Sequence, residues 1–306
     1  MRVKSGSMAD GMTRRDFLLT ACAATAARTL RASARITLGY AAITWGGNDV
    51  QAIEDVSSLG FKGIQLRSSA VDRFADKPAE LKALLQQHHL TMAVLSSGNL
   101  RLDPAFEAED LAKHSKNARF VRAIGGTYIQ ILDEPPKGKA LATDDYKRMG
   151  RLLTELGKRT ADAGIPLVYH NHMNSMSQPP EGTAAIMEAT DPRHVRLLLD
   201  VAHYQQGGGD PVKAVAQYKD RIQVVHFKDV VSPAPSVEGA PPRPYQFVEL
   251  GRGTVNLKAV MSALNQINYQ GWGIIELDAV PDKSRTPKDC AAINRDYAEQ
   301  ELHLPL

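Results

Sequence analysis

A (β/α)8 barrel is the architecture this sequence predicts, and three observations predict it. Short apolar runs alternate with amphipathic stretches from residue 36 to residue 301, a pattern that favours a parallel α/β sheet. Eight runs and eight stretches follow one another, the number and size of such a barrel. Ionisable residues then recur at the ends of the last four runs, where barrels of this kind build their active sites. A doubly wound open sheet shares the first two observations, because periodicity does not show closure.

The strands are expected at Ile36–Trp45, Gly63–Leu66, Thr91–Ser96, Tyr128–Leu132, Pro166–Asn171, Val195–Asp200, Ile222–Lys228 and Gly273–Leu277. Helices are expected at Val50–Leu59, Ala79–His88, Pro104–Ile124, Asp144–Ala163, Glu181–Ala189, Pro211–Tyr218, Leu257–Ile267 and Pro287–Glu301. Thr143 ahead of an acidic first turn, and Asp210-Pro211, read as helix starts. Gly60, Gly125 and Gly164 read as helix ends. Loops are short except Val231–Arg252, Pro/Gly-rich and long enough to cover a site. No second folded domain is visible, so residues 35–306 form one barrel.

With 43% hydrophobic and 23% charged residues, the chain has the composition of an ordinary globular protein. Its two cysteines, Cys22 and Cys290, exclude a zinc ribbon or finger. Residues 1–35 carry seven Lys/Arg against two Asp, a balance of +5, so the whole-chain +3 leaves −2 for the remainder. A mildly acidic body argues against nucleic acid as a partner. Thr13-Arg14-Arg15-Asp16-Phe17-Leu18-Leu19 resembles a twin-arginine export signal, followed by a mild apolar stretch and small residues near Ala32-Ser33-Ala34. Residues 1–34 are therefore read as an export address, which implies a periplasmic protein. Leu19-Thr20-Ala21-Cys22 also resembles a lipoprotein box, with Cys22 as the lipid anchor.

Chemistry gathers at the strand ends. Strand five ends Tyr169-His170-Asn171-His172, strand six Leu199-Asp200-Val201-Ala202-His203, strand seven Val225-His226-Phe227-Lys228-Asp229 and strand eight Ile275-Glu276-Leu277-Asp278. Each set follows an apolar run, and burying charge there is costly unless the groups pair or hold a cation. Any one of them has a plain structural reading: a hydrogen-bonded histidine, Asp200 as a helix cap, Glu276 beside a lysine. Four in succession point to a shared site. Imidazoles with carboxylates suit Mn²⁺, Zn²⁺, Co²⁺ or Fe²⁺, with Mn²⁺ or Zn²⁺ favoured, and disfavour Ca²⁺.

Leu198-Leu199-Asp200-Val201-Ala202-His203, Val224-Val225-His226-Phe227-Lys228-Asp229 and Ile274-Ile275-Glu276 resemble the xylose isomerase-like barrel superfamily. That superfamily includes sugar isomerases and epimerases, inosose dehydratase and the endonuclease IV group. The stretch Tyr169-His170-Asn171-His172-Met173, with Gly207-Gly208-Gly209-Asp210-Pro211 and Lys228-Asp229, is most similar to inosose dehydratase-like members. The resemblance implies Asp200, His226 and Glu276 as metal ligands, with His203 touching substrate hydroxyls. Epimerases of this superfamily bring a glutamate from strand five, where this chain has His170. His170 is expected as fourth ligand, with His172 or Gln130 as substitutes. Losing that carboxylate weakens two-sided epimerisation and favours proton removal followed by elimination or one-sided isomerisation.

The expected substrate is a keto-sugar, keto-inositol or oxidised glycoside. Glu276 or His172 would take the proton next to the carbonyl; His203 and Lys228 would orient hydroxyls or protonate the leaving oxygen. Gln130, Arg67, Gln65 and the Ser96-Ser97-Gly98-Asn99 edge are candidates for hydroxyl contacts. Trp45 reads as an apolar wall for a sugar ring or as a core residue. Gly251-Arg252-Gly253 reads as a turn, Asp133-Glu134-Pro135-Pro136 as a solvated loop, and His88-His89 as surface. A non-catalytic sugar-binding barrel and an endonuclease IV-like phosphodiesterase are the rival readings; homo-oligomerisation stays open. The Val231–Arg252 loop lacks the further ligands the phosphodiesterase would need.

Overall fold

Residues 35–138, 140–235 and 243–306 are described by the structure, a computed structural model; residues 1–34, read from sequence as an export address, and Cys22 among them lie outside the described residues. Eight parallel strands close into a barrel: β1 (Arg35–Ala41), β2 (Gly63–Arg67), β3 (Thr91–Arg101), β4 (Tyr128–Glu134), β5 (Leu167–His170), β6 (Val195–Asp200), β7 (Ile222–Phe227) and, after a hairpin of β8 (Asp229–Val231) and β9 (Gln246–Val248), β10 (Gln270–Ile275). β10 pairs with both β1 and β7, which closes the cylinder and excludes the open sheet.

Side chains of a strand alternate between faces, so every second residue enters the barrel. Val168, Leu198, Val224 and Ile274 belong to one buried cluster inside it. Two residues further along the same strands come His170, Asp200, His226 and the residue just beyond β10, Glu276. A dry apolar layer therefore supports a polar layer directly above it, at the C-terminal mouth. Helices pack outside: Thr143–Asp162, for example, buries Met149, Leu152, Leu153 and Leu156, a stripe with helical spacing. Gly63 lets Trp272 lie across the bottom of β2, where a Cβ would come within 2.4 Å of the indole.

Several boundaries differ from the sequence reading for local reasons. The first strand stops at Ala41, and Ala42–Trp45 wind into a 3-10 turn that ends at left-handed Gly46. Thr143 is already helical, and the start is held by Asp145 accepting from the Ala142 N–H at 2.9 Å. Two short helices, Ser68–Phe74 and Val201–Gln206, were not expected. Within the long loop after β7, β8 pairs antiparallel with β9.

Asp229 organises that loop. Its buried carboxylate accepts from the backbone N–H groups of Val230, Gly251, Gly253 and Val255 at 2.9–3.0 Å. Gly253 is needed there, since a Cβ would sit 2.2 Å from the Asp229 carboxylate.

Candidate metal centre and active site

The polar layer above the barrel core brings four strands to one point. β6 ends at Asp200, whose Oδ1 caps the next helix by accepting from the Ala202 and His203 N–H groups at 2.9 and 2.8 Å. That leaves Oδ2 pointing into the barrel mouth. There His226 Nδ1 lies 3.4 Å away and His170 Nε2 3.6 Å away. Glu276 Oε1 completes the set, 3.6 Å from His226 Nδ1. Among the described residues, Asp200 Oδ2, His170 Nε2 and His226 Nδ1 are buried and have no hydrogen-bond partner. Three buried orphans, two of them facing the third, Asp200 Oδ2, are costly unless something sits between them. Ligand atoms at about 2.1 Å from a tetrahedral ion are spaced by about 3.4 Å, so the donor set fits a divalent cation of the zinc or manganese type.

Gln65 and Gln130, on β2 and β4, orient the ligands. Gln65 Oε1 accepts from His226 Nε2–H at 2.9 Å, which leaves the Nδ1 lone pair facing Asp200. Its Nε2 donates to Glu276 Oε2 at 3.0 Å. Gln130 stands 2.8 Å from His170 Nδ1, and its buried Oε1 has no partner as placed. Amide oxygen and nitrogen exchange by a flip; turned over, Oε1 accepts from Nδ1–H and frees the His170 Nε2 lone pair. Burial pushes His170 down to about 4, so it is the neutral imidazole a metal requires. Burial works against charge on Glu276, but its polar neighbours, the Lys228 ammonium among them, outweigh it and lower the carboxyl to about 2.

One layer higher, again two residues on, stand Lys228 and Asp278. Lys228 is fully buried, and its ammonium donates to Glu276 Oε1 at 2.9 Å and Asp278 Oδ1 at 2.5 Å. Burial opposes its charge; Asp278, Glu276 and Asp200 override that and hold it protonated. His203 Nε2 lies 3.1 Å from Lys228 Nζ, and burial with this cation keeps the imidazole neutral. The His172 ring packs on His203 with centroids 3.8 Å apart. His172 Nδ1–H donates to the Met173 carbonyl at 2.6 Å, leaving Nε2 as an acceptor.

A cavity of about 350 Å³ opens over this cluster, lined by Ile43, Arg67, Ser96, Asn99, Gln130, His170, His172, Glu276 and Asp278 among others. Arg67, Ser96 and Asn99 thus sit where hydroxyl contacts were expected. Trp45 does not line it. Its indole is in the core, edge-on to Tyr40, with Nε1–H donated to Asp55 at 2.9 Å; Ile43, two residues earlier, supplies the apolar wall. Gln65 is buried under the ligands rather than exposed to a substrate. Asp133 is not in a solvated loop: it is buried, takes the Tyr169 hydroxyl, and anchors the loop after β5 by accepting the Met176 N–H at 2.6 Å. Ser97 is buried as well, bonded to His114 at 2.7 Å.

Two residues of the cluster had no assigned role from sequence. Asp278 was signalled by the Glu-x-Asp spacing that puts it on Glu276's face. Phe247, 4.0 Å from Lys228 Nζ, comes from a loop whose sequence carries no such signal.

Comparison with known proteins agrees with the barrel fold. An inosose dehydratase from Lacticaseibacillus casei is 28% identical over 88% of this chain and 98% of its own. Another, from Geobacillus kaustophilus, is 25% identical over 87% and 94%. The crystal structure of the IolI protein with a bound zinc atom superposes with a TM-score of 0.72 at 18% identity, covering 86% of this chain and 97% of that one. A probable 3-DHS dehydratase from Bacillus anthracis gives 0.69 at 16% identity, over 87% and 100%. These structural likenesses show the fold. The family model described as xylose isomerase-like TIM barrel matches residues 53–296, and the chain belongs to that family.

Proposed function

We propose that this enzyme is a divalent-metal-dependent carbon–oxygen lyase that dehydrates a keto-inositol or related keto-sugar. The observation that carries the reading is the convergence of His170 Nε2 and His226 Nδ1 on Asp200 Oδ2, at 3.6 and 3.4 Å, all three unpartnered, with Glu276 Oε1 3.6 Å from His226 Nδ1. The relatives named inosose dehydratase support the substrate class. A histidine in place of a strand-five glutamate supports elimination over epimerisation, because β5 brings an imidazole rather than a second carboxylate to face Glu276.

His170, Asp200, His226 and Glu276 would hold the ion, which supplies a Lewis acid beside the substrate carbonyl and lowers the pKa of the adjacent C–H. Both Glu276 oxygens are engaged, by Lys228 and Gln65. His172 is the better base: its ring is fixed by Met173, its Nε2 is free, and it faces the cavity. It takes the proton next to the carbonyl, whose bonding pair becomes the new C=C bond. The β-hydroxyl leaves with its own pair and departs as water after taking a proton. Lys228 and His203 orient the substrate's hydroxyls, as Arg67, Ser96 and Asn99 do at the rim.

Incubating metal-loaded protein with an inosose in D₂O tests this. Exchange at the α-carbon and appearance of a conjugated enone absorbance are expected; neither, with any of Mn²⁺, Zn²⁺ or Co²⁺, would overturn the reading. We also propose that residues 1–34 direct export, which a reporter fused behind them and assayed with Arg14→Lys/Arg15→Lys would test.

A further inference from the structure

The cavity over the cation cluster meets a second and larger one, of about 550 Å³, across Asp278, which lines both. One wall of this second lobe is aromatic: Tyr245 and Phe247 stand edge to face with centroids 5.3 Å apart. Phe247 also reaches the reaction centre, 4.0 Å from Lys228 Nζ and 4.8 Å from the His203 ring. Val280 and Pro281 line the lobe as well. Arg243 and Lys283 stand at its rim, while its carboxylate, Asp278, is already engaged by Lys228 at 2.5 Å. An aromatic wall with surplus positive charge suits a planar, anionic group. A single six-membered polyol is served by the first lobe alone, so dehydration of an inosose gives the second lobe no task.

We propose that the second lobe receives the leaving group of a keto-glycoside, an aryl substituent carrying negative charge, while the oxidised sugar ring lies over the cation cluster. This rests on the elimination read above, with the glycosidic oxygen in place of hydroxide. The α-proton goes to the base and its pair forms the C=C bond. The glycosidic C–O bond breaks, its pair leaving on the aryl oxygen, which water protonates. No oxidant or co-reactant is needed. The carbonyl must lie two carbons from the glycosidic carbon, as in a 3-keto-glucoside.

The test begins with binding, free of turnover. By calorimetry on the full chain, 4-carboxyphenyl β-glucoside should bind at least tenfold more tightly than methyl β-glucoside. Tyr245→Ala, and separately Lys283→Ala, should each erase most of that preference and leave inosose dehydration unchanged. Equal affinity for the two glucosides, or a preference that survives both substitutions, overturns the proposal. Turnover then separates it from the reading beneath it. Protein that dehydrates inosose should also release 4-hydroxybenzoate from the 3-keto aryl glucoside. Dehydration without that release overturns the leaving-group assignment alone; failure on inosose overturns the elimination reading itself.

Discussion

Replacing Gln65 by Leu removes the residue that aims two of the proposed ligands at once. Gln65 is 3% exposed, accepts from His226 at 2.9 Å and donates to Glu276 at 3.0 Å, so the variant strips one partner from each buried group. Leaving a buried donor and acceptor unmade costs about 1–3 kcal/mol each; the apolar surface of Leu recovers part of it. For cation binding, losing such an orienting contact lowers affinity by about 10–100-fold, or roughly 1.4–2.7 kcal/mol. The assay is competition between the protein and a chromogenic chelator for Zn²⁺ or Mn²⁺, run beside circular dichroism. The expected result is a Kd raised by that factor in a folded protein, with Gln65→Glu recovering the bond to His226 but setting a second negative charge against Glu276. Unchanged affinity in Gln65→Leu would refute the argument that His226 and Glu276 are held in place by this amide.

His172→Gln should lower turnover by about 10²–10⁴-fold, the usual contribution of a positioned base, with cation content unchanged; steady-state kinetics with elemental analysis checks both. Asp229→Ala should free four backbone N–H groups and loosen residues 249–255, read as faster amide exchange there and a lower kcat, since the hairpin carries Phe247. His114, buried and bonded to Ser97 and the Asn99 carbonyl, is pushed down to about 4, chiefly by burial. A histidine depressed on folding leaves stability intact above its unfolded value of about 6.5 and removes it as pH falls from there toward 4, by about 3 kcal/mol. Urea titrations at stepped pH should show that slope, and His114→Gln should flatten it.

Much of the fold was legible because its signals are local and repeated. Val195–Asp200 appears with the bounds read from sequence, an unbroken apolar run closed by a carboxylate that caps the adjoining helix. The candidate site was legible for the same reason: an ionisable residue two places beyond an inward apolar one must face the barrel mouth. What escaped depends on partners far apart in the chain. Asp133 is buried by Tyr169 and Met176, 36 and 43 residues away. Trp45 finds its acceptor only once the 3-10 turn carries it toward the helix bearing Asp55. Val201–Gln206 is too short to show helical periodicity, and β8–β9 exists because Asp229 gathers a loop whose composition reads as irregular. Gln65 looked like a hydroxyl partner, since an amide carries no sign of whether it meets a substrate or a ligand's far nitrogen; Gln130 lines the cavity and also meets His170.

Inductively coupled plasma mass spectrometry on purified protein, loaded with a divalent ion and dialysed against a weak chelator, tests the shared cluster most directly. One equivalent per chain is predicted, falling towards zero in Asp200→Asn and His226→Ala while both variants keep their far-ultraviolet dichroism. Retention of a full equivalent by those folded variants, or none by the unaltered protein, would contradict the idea that these strands converge to hold a cation.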